Sequence, residues 1–217
     1  MVTTGIVGGG IPIAVGLALA AQLEGSDRVA VASFGDGATS IGATHEAMNL
    51  AAVWRLPVIM LCQNNMWGEH TALGEYTLTE RLSDRAGGYG MTGVTVDGTS
   101  PEALYPVLSD AVSRARAGGG PTFVEARTYR ILGHTFGADQ SYQPVDELDR
   151  ARASEPVGAF RDRLLELGFA DKKQLDSIDS TVTSEVEEAF AFAASSPAPG
   201  RDELLVDVFA RVEEVPV

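Results

Sequence analysis

The sequence predicts an α/β fold, a parallel sheet with helices on both faces, and three observations carry that prediction. Helical and strand patterns alternate between residues 11 and 129, the signature of strands joined by crossover helices. The strand candidates at 29–34 and 58–62 are continuous apolar runs, as expected of strands covered on both faces. Turn-forming Gly, Asp, Asn and Pro cluster at their ends.

The elements follow in order. Glycines at 5, 8, 9 and 10 suggest a dinucleotide loop, but no strand precedes them, so the Rossmann reading is poor. Residues 11–23 are nearly all apolar and end in Leu19-Ala20-Ala21, in the manner of a signal peptide. No positive leader precedes them, the first basic residue being Arg28, and the run is too short to span a bilayer. A buried helix is expected, with Pro12 in its first turn and Ala14, Gly16, Ala18 and Ala20 allowing close packing. A strand at 29–34 leads to Gly35-Asp36-Gly37, a helix is expected at 41–54, and a strand at 58–62 leads to Asn64-Asn65. A strand at 94–96, a helix at 101–117, the breaker Gly118-Gly119-Gly120-Pro121 and a strand at 122–129 continue the alternation. Residues 133–143 form a polar, glycine-containing loop. Beyond Asp146 the chain turns charged and helical, notably at 156–167 and 172–194, and the apolar run 204–208 is expected to add an edge strand. With no internal repeat or linker, the expected organisation is an α/β domain over 1–145 and a helical extension over 146–217 packed on it.

Composition narrows the function classes. At 217 residues and 45% hydrophobic, the chain can bury one good core. Thirty acidic against 16 basic residues give a formal charge of −14, which opposes binding to nucleic acid or an anionic membrane. The one cysteine, Cys62, excludes an intrachain disulfide and agrees with a cytoplasmic location. Its place in an apolar run reads as packing.

The most informative feature is the pair Gly35-Asp36-Gly37 and Asn64-Asn65, with 26 residues between Gly37 and Asn64. Each half follows a strand, so a carboxylate and a carboxamide sit at two strand ends. That pair suits a magnesium diphosphate. Magnesium takes oxygen ligands in a tight octahedron, usually one or two from side chains, with phosphates and water completing it. Asp36 offers an anionic oxygen, and an asparagine offers a neutral one beside a polyanion. Gly35 and Gly37 let the backbone approach the phosphates closely.

This motif resembles the thiamine-diphosphate motif, and residues 35–68 resemble the alpha subunit of the decarboxylating component of 2-oxo acid dehydrogenase complexes. The resemblance extends through Gly5-Ile6-Val7-Gly8, His45-Glu46, Trp54, Leu56-Pro57, Val96-Asp97-Gly98, Gly120-Pro121-Thr122, Tyr129-Arg130 and Gly133-His134, nearly the whole chain. His45-Glu46 and Gly68-Glu69 lean toward the pyruvate and acetoin branches.

The resemblance implies thiamine diphosphate and Mg2+ as cofactors, with Asp36, Asn65 and the backbone carbonyl of Trp67 as metal ligands. Asn64 then lies beside the metal. It places Gly5, Ile6 and Val7 along the aminopyrimidine, and Gly35, Gly37 and Ala38 against the diphosphate at a helix start. His134 matches a loop histidine that closes over the cofactor and takes part in acyl transfer. Implied partners are a beta subunit supplying the glutamate that activates the aminopyrimidine, and a lipoyl-bearing acyltransferase. The family carries a segment ahead of Gly-Ile-Val-Gly with a diphosphate-gripping Tyr-Arg pair, expected here from a separate N-terminal alpha polypeptide or removed by truncation. Where the family has Tyr-Arg-Thr after the histidine, this chain reads Tyr142-Gln143-Pro144, which removes a charged fork that would pin the loop.

Two further readings stay open: a subunit of a split transketolase-like transferase, and a truncated, non-catalytic assembly subunit. His45 is expected to pack or face an interface, His70 to face solvent or a partner, and the Trp67 ring to fill a gap. The carboxylates between Glu185 and Glu188 read as a solvated helix face.

Overall fold

The computed structural model describes residues 2–206. Its strands are β1 (Ala30–Gly35), β2 (Val58–Asn64), β3 (Trp67–Gly68), β4 (Thr71–Ala72), β5 (Thr92–Asp97) and β6 (Thr122–Arg127). Its helices are α1 (Gly10–Leu23), α2 (Gly42–Val53), α3 (Leu73–Tyr76), α4 (Pro101–Arg116), α5 (Val145–Ala153), α6 (Pro156–Glu166) and α7 (Lys172–Ser195). Four strands pair in parallel in the order β1-β2-β6-β5, and β3 and β4 make a small antiparallel hairpin.

Helices lie on both faces of the sheet, as the continuous apolar strands require. On one face α1, α2 and the 3-10 segment Leu82–Tyr89 enclose the main core, in which Ala18, Met48, Met60, Leu82 and Phe123 are fully buried. On the other face α4 packs Ala111 against Ile59 and Val124, with Val107 and Leu108 alongside. Local sequence sets the limits of α4. The Ser100 hydroxyl accepts the Ala103 amide at 3.2 Å, Pro101 occupies the first turn, and Gly118 follows the helix at φ +73°. Arg114 and Arg116 stand in the last turn, where positive charge complements the helix dipole.

Two faces are more open than the sequence suggests. α1 buries Ile11, Ala14, Val15, Ala18 and Ala21 but leaves Ile13, Leu17 and Leu23 exposed, so the expected buried helix is covered on one side among the described residues. Val31 on β1 is likewise exposed, because α4 covers the β2, β6 and β5 part of the sheet.

The chain divides into two compact units, 1–160 and 161–217. The division falls beyond the expected 145/146 because α5 belongs with the first unit. Leu148 is buried there, and the Tyr129 hydroxyl donates to Glu147 at 3.2 Å. In the second unit α7 opens with a capping box in which the Asp171 carboxylate accepts the Gln174 amide at 2.8 Å and the Gln174 side chain accepts the Asp171 amide at 2.9 Å. Arg161 pairs with both Asp176 and Asp179 of α7. Glu185, Glu187 and Glu188 are all exposed.

The edge strand expected at 204–208 is replaced by a 3-10 turn, Arg201–Leu205, while residues 207 and 208 lie outside the described residues. Periodicity cannot separate strand from helical turn in so short an apolar run. Among the described residues no helix is long and apolar enough to cross a membrane.

Phe123 is fully buried, with its ring edge-on to Phe34 at 6.0 Å. Phe123→Ala is expected to lower stability by about 3–5 kcal/mol in urea denaturation. An unchanged midpoint would contradict this packing of the core.

Candidate functional site

The site begins with strand register. β1 and β2 run parallel from Ala30 opposite Val58 to Gly35 opposite Gln63, so both leave the sheet at the same edge. Asp36 and Asn64-Asn65 are therefore the next residues out, side by side, where ligands collect in parallel sheets.

Asp36 is 1% exposed and opens a 3-10 turn, Asp36–Ser40. Its Oδ1 accepts the Asn65 amide at 3.3 Å, and its Oδ2 accepts the Tyr76 hydroxyl. The turn is tied down by the Thr39 hydroxyl donating to the Asp36 carbonyl at 2.6 Å and the Thr44 hydroxyl donating to the Ala38 carbonyl at 2.7 Å. α2 starts only at Gly42, so Gly37 and Ala38 lie in this turn rather than at a helix start.

The two asparagines have different positions in the network. Asn64 is fully buried, with Nδ2 donating to Glu125 at 2.7 Å and Oδ1 accepting the Met66 amide at 3.0 Å. Asn65 is half-buried, and its Oδ1 accepts the Trp67 amide at 3.1 Å, leaving a second lone pair. Of the pair, Asn65 is the one that lines a cavity.

That cavity has a volume of about 590 Å³. Asp36, Asn65, Trp67 and His134 line it together with Val7, and Gly35, Gly37 and Ala38 form another part of its wall. Gly5 and Ile6 instead line an adjoining groove of about 510 Å³, which shares Val7, Gly35 and Ala38 with the first. Ile6 is 75% exposed. Two glycines allow the strand exits to meet, since a Cβ on Gly37 would stand 3.3 Å from the Gly68 Cα, and one on Gly68 would stand 3.2 Å from the Tyr76 ring.

Two further wall residues were given no site role from sequence, Tyr76 and Arg130, the second quoted only within the Tyr129-Arg130 match. Arg130 donates through Nη2 to the Tyr142 hydroxyl at 2.7 Å and to the Glu69 carbonyl, and its Nη1 lies 3.3 Å from His134 Nδ1. Its Nε is buried without a partner. The Tyr129-Arg130 match, just ahead of Gly133-His134, was the usable signal for Arg130. Tyr76 had none, because it reaches Asp36 only through the β3–β4 hairpin and α3.

The loop after His134 is also more tightly held than the missing arginine suggests. Gln143 is 3% exposed, donates to the Arg130 carbonyl at 2.8 Å and accepts from Gln140 at 3.1 Å. The Trp67 ring is buried edge-on to Tyr142 at 5.3 Å, filling a gap as expected. His70 is exposed but lies against Tyr142 at 4.6 Å, and His45 bonds the Tyr89 hydroxyl at 2.6 Å, away from the cavity.

The donor set fits a magnesium diphosphate better than a free metal ion. No cluster of three or more His, Cys, Asp or Glu side chains occurs among the described residues. One buried carboxylate and neutral oxygens leave a divalent cation short of charge unless phosphates supply it. The orphan Arg130 Nε is a donor suited to an anion.

A family model described as the dehydrogenase E1 component matches residues 1–201. The alpha subunit of acetoin:2,6-dichlorophenolindophenol oxidoreductase from Bacillus subtilis is 41% identical, covering 97% of this chain and 63% of the relative. Its counterpart from Cupriavidus necator is 40% identical over 96% of this chain and 63% of the relative. The pyruvate dehydrogenase E1 component subunit alpha of Rhizobium meliloti is 35% identical over 94% and 59%. The chain thus spans less than two thirds of the length of these relatives.

Burial, reinforced by the nearby Asp36 and Glu125 charges, pushes the Cys62 thiol far above its ordinary range. A group whose folded pKa is raised contributes stability below its unfolded pKa and loses it as pH rises. Cys62 should therefore resist iodoacetamide in the native protein and react on denaturation, and the protein should lose stability above about pH 8.5. Cys62→Ala should flatten that alkaline decline, and rapid native alkylation would contradict the burial.

Proposed function

Since the chain belongs to the dehydrogenase E1 component family, we propose that it is the alpha-type subunit of a thiamine-diphosphate-dependent dehydrogenase. The enzyme decarboxylates a 2-oxo acid or cleaves acetoin and transfers the acyl group to lipoamide on an acyltransferase partner. The observation that carries this reading is the convergence of Asp36 and Asn65 on one cavity, at the exits of two paired parallel strands. Identity is higher to the acetoin relatives, 41% and 40%, than to the pyruvate relative at 35%, so acetoin is the first substrate to test.

In this reading Asp36 gives Mg2+ its anionic oxygen, and Asn65 Oδ1 and the Trp67 carbonyl give neutral ones. Gly35, Gly37 and Ala38 let the diphosphate come close to the backbone, and Arg130 offers it hydrogen bonds. Gly5, Ile6 and Val7 flank the aminopyrimidine. Bound thiamine diphosphate supplies the electron sink for decarboxylation. Tyr76 would fix the orientation of the Asp36 carboxylate through its hydrogen bond to Oδ2. His134, held near Arg130, acts in acyl transfer as a proton donor or acceptor at its ring nitrogens.

Partner chains complete the site. The cavity wall presents Asp36 and Glu69 as its carboxylates, and Asp36 is taken by Tyr76 and the Asn65 amide. On the same reading, which follows the family resemblance, a beta-type subunit supplies the glutamate that activates the aminopyrimidine, and a further alpha segment supplies the remaining diphosphate contacts. A cytoplasmic location belongs to the same reading.

With the chain purified together with its partner subunits, calorimetry should show magnesium-dependent binding of thiamine diphosphate. Asp36→Ala should weaken it at least ~100-fold, beyond the 10–100-fold typical of outer-shell changes. Unchanged affinity would remove the metal role. His134→Ala should leave cofactor affinity intact and slow single-turnover acyl transfer by about 100-fold or more, whereas lost binding would reassign the histidine to the cofactor.

A further inference from the structure

We infer that Glu125 is a positioning residue that sets the geometry of the metal-binding loop through Asn64, an inference that rests on the cofactor site proposed above. Glu125 sits in the middle of β6, fully buried, where the neighbouring residues Phe123, Val124 and Ala126 are apolar. A carboxylate in such a place is costly, and an apolar residue of similar size would generally pack at least as well.

The surroundings hold it ionised. Burial opposes the charge, but hydrogen bonds from Asn64, Ser83, Thr95 and Arg127 outweigh it and hold the carboxyl below the usual range. Asn64 Nδ2 at 2.7 Å and Arg127 Nε at 3.2 Å reach Oε1, and the Ser83 amide at 3.1 Å and Thr95 hydroxyl at 2.9 Å reach Oε2.

A carboxylate that only accepts admits one orientation of the Asn64 amide. Nδ2 must face Glu125, so Oδ1 must face the other way, where it accepts the Met66 amide at 3.0 Å. That bond spans Asn65 and secures Met66 at φ +73°, a left-handed conformation that a side chain other than glycine adopts only when held. The next turn repeats the pattern, with Asn65 Oδ1 accepting the Trp67 amide. Both neutral oxygens assigned to the metal therefore hang from a loop whose first fixed point is the Glu125–Asn64 bond. Glu125 lies outside the lining of the cavity and acts through Asn64.

A polarity swap tests this. In Glu125→Gln, one amide oxygen replaces two carboxylate oxygens, so either Asn64 or the Ser83–Thr95 pair loses its acceptor. In Asn64→Asp, two carboxylates face each other. When Asn64→Asp and Glu125→Gln are combined, the introduced amide on β6 donates to the carboxylate introduced at the end of β2. That carboxylate still accepts the Met66 amide, the remaining amide oxygen on β6 still accepts from Ser83 and Thr95, and only Arg127 Nε, on a side chain 40% exposed to solvent, loses its acceptor.

With the chain and its partner subunits, calorimetric titration of Mg2+ in the presence of thiamine diphosphate should show each single variant weakened ~10–100-fold. The double variant should recover most of the wild-type affinity. Thr95→Val, which removes a donor from the other carboxylate oxygen, should lower Tm and leave Mg2+ affinity unchanged. Single variants that lose Tm but keep wild-type affinity would make Glu125 a structural knot and overturn the inference. A double variant no better than the singles would overturn the orientation mechanism. Failure of the wild-type assembly to bind Mg2+ with thiamine diphosphate would instead bring down the cofactor reading, and this inference with it.

Discussion

Parallel pairing of β1 with β2 is the constraint on which the site depends. Residues far apart in the chain become neighbours because parallel strands in register end at one edge, Gly35 opposite Gln63. The same register places Phe34 opposite Cys62 and Ala32 opposite Met60, all in the core beneath α1 and α2. A slip of one residue would turn those side chains to the opposite face and separate Asp36 from the Asn65 amide. Core packing and site geometry thus select one register. The site needs no separate scaffold, only two strands that must pair this way to bury their apolar side chains.

The polar interior adds a second layer of specification. Strand exits are loops, and a loop that aims neutral oxygens at a ligand must be held by something stiffer than solvent. Here Asn64 joins β2 to β6 through Glu125, Ser83 ties the 3-10 segment to the same carboxylate, and Thr95 brings in β5. The backbone takes part as well, the Thr128 amide donating to the Asn64 carbonyl at 2.8 Å and the Arg130 amide to the Asn65 carbonyl at 3.2 Å. Arg130 therefore belongs to the loop both through its backbone and through the cavity wall. A buried network of this kind is costly unless complete, and each oxygen of the Glu125 carboxylate, like the oxygen and nitrogen of the Asn64 amide, has its partner.

Much of the fold was legible because apolar periodicity reports burial directly. The continuous run of β2 and the helical spacing of α2 and α4 needed no tertiary information, and the punctuation at Gly35-Asp36-Gly37 and Asn64-Asn65 marked the strand exits. What escaped the sequence depends on distant partners. Tyr76 bonds Asp36 across 40 residues, the hairpin of β3 and β4 has two residues per strand, and Gln143 holds a loop that charge alone suggested was unpinned. The helical spacing from residue 41 marked α2, but the resemblance put a helix start at Gly37 and Ala38, where a 3-10 turn intervenes. Its form is set by the hydroxyls of Thr39 and Thr44 instead.

On the proposed reading, the charge distribution links metal and diphosphate more tightly than either residue set suggests. The chain carries a formal charge of −14, and Arg130 is the only lysine or arginine in the wall of the cavity among the described residues. On the proposed reading, an unaccompanied diphosphate would meet a net acidic protein and one guanidinium already shared with Tyr142, Glu69 and His134. A lone divalent cation would meet one carboxylate whose oxygens are bonded to Tyr76 and Asn65. Each ligand supplies the charge that the other lacks, so their binding is coupled, and by linkage each raises the affinity of the other by the same factor. An acidic chain therefore needs no basic surface to hold a polyanion, because the metal carries the positive charge in with it, and a single buried aspartate suffices to mark where that charge must sit.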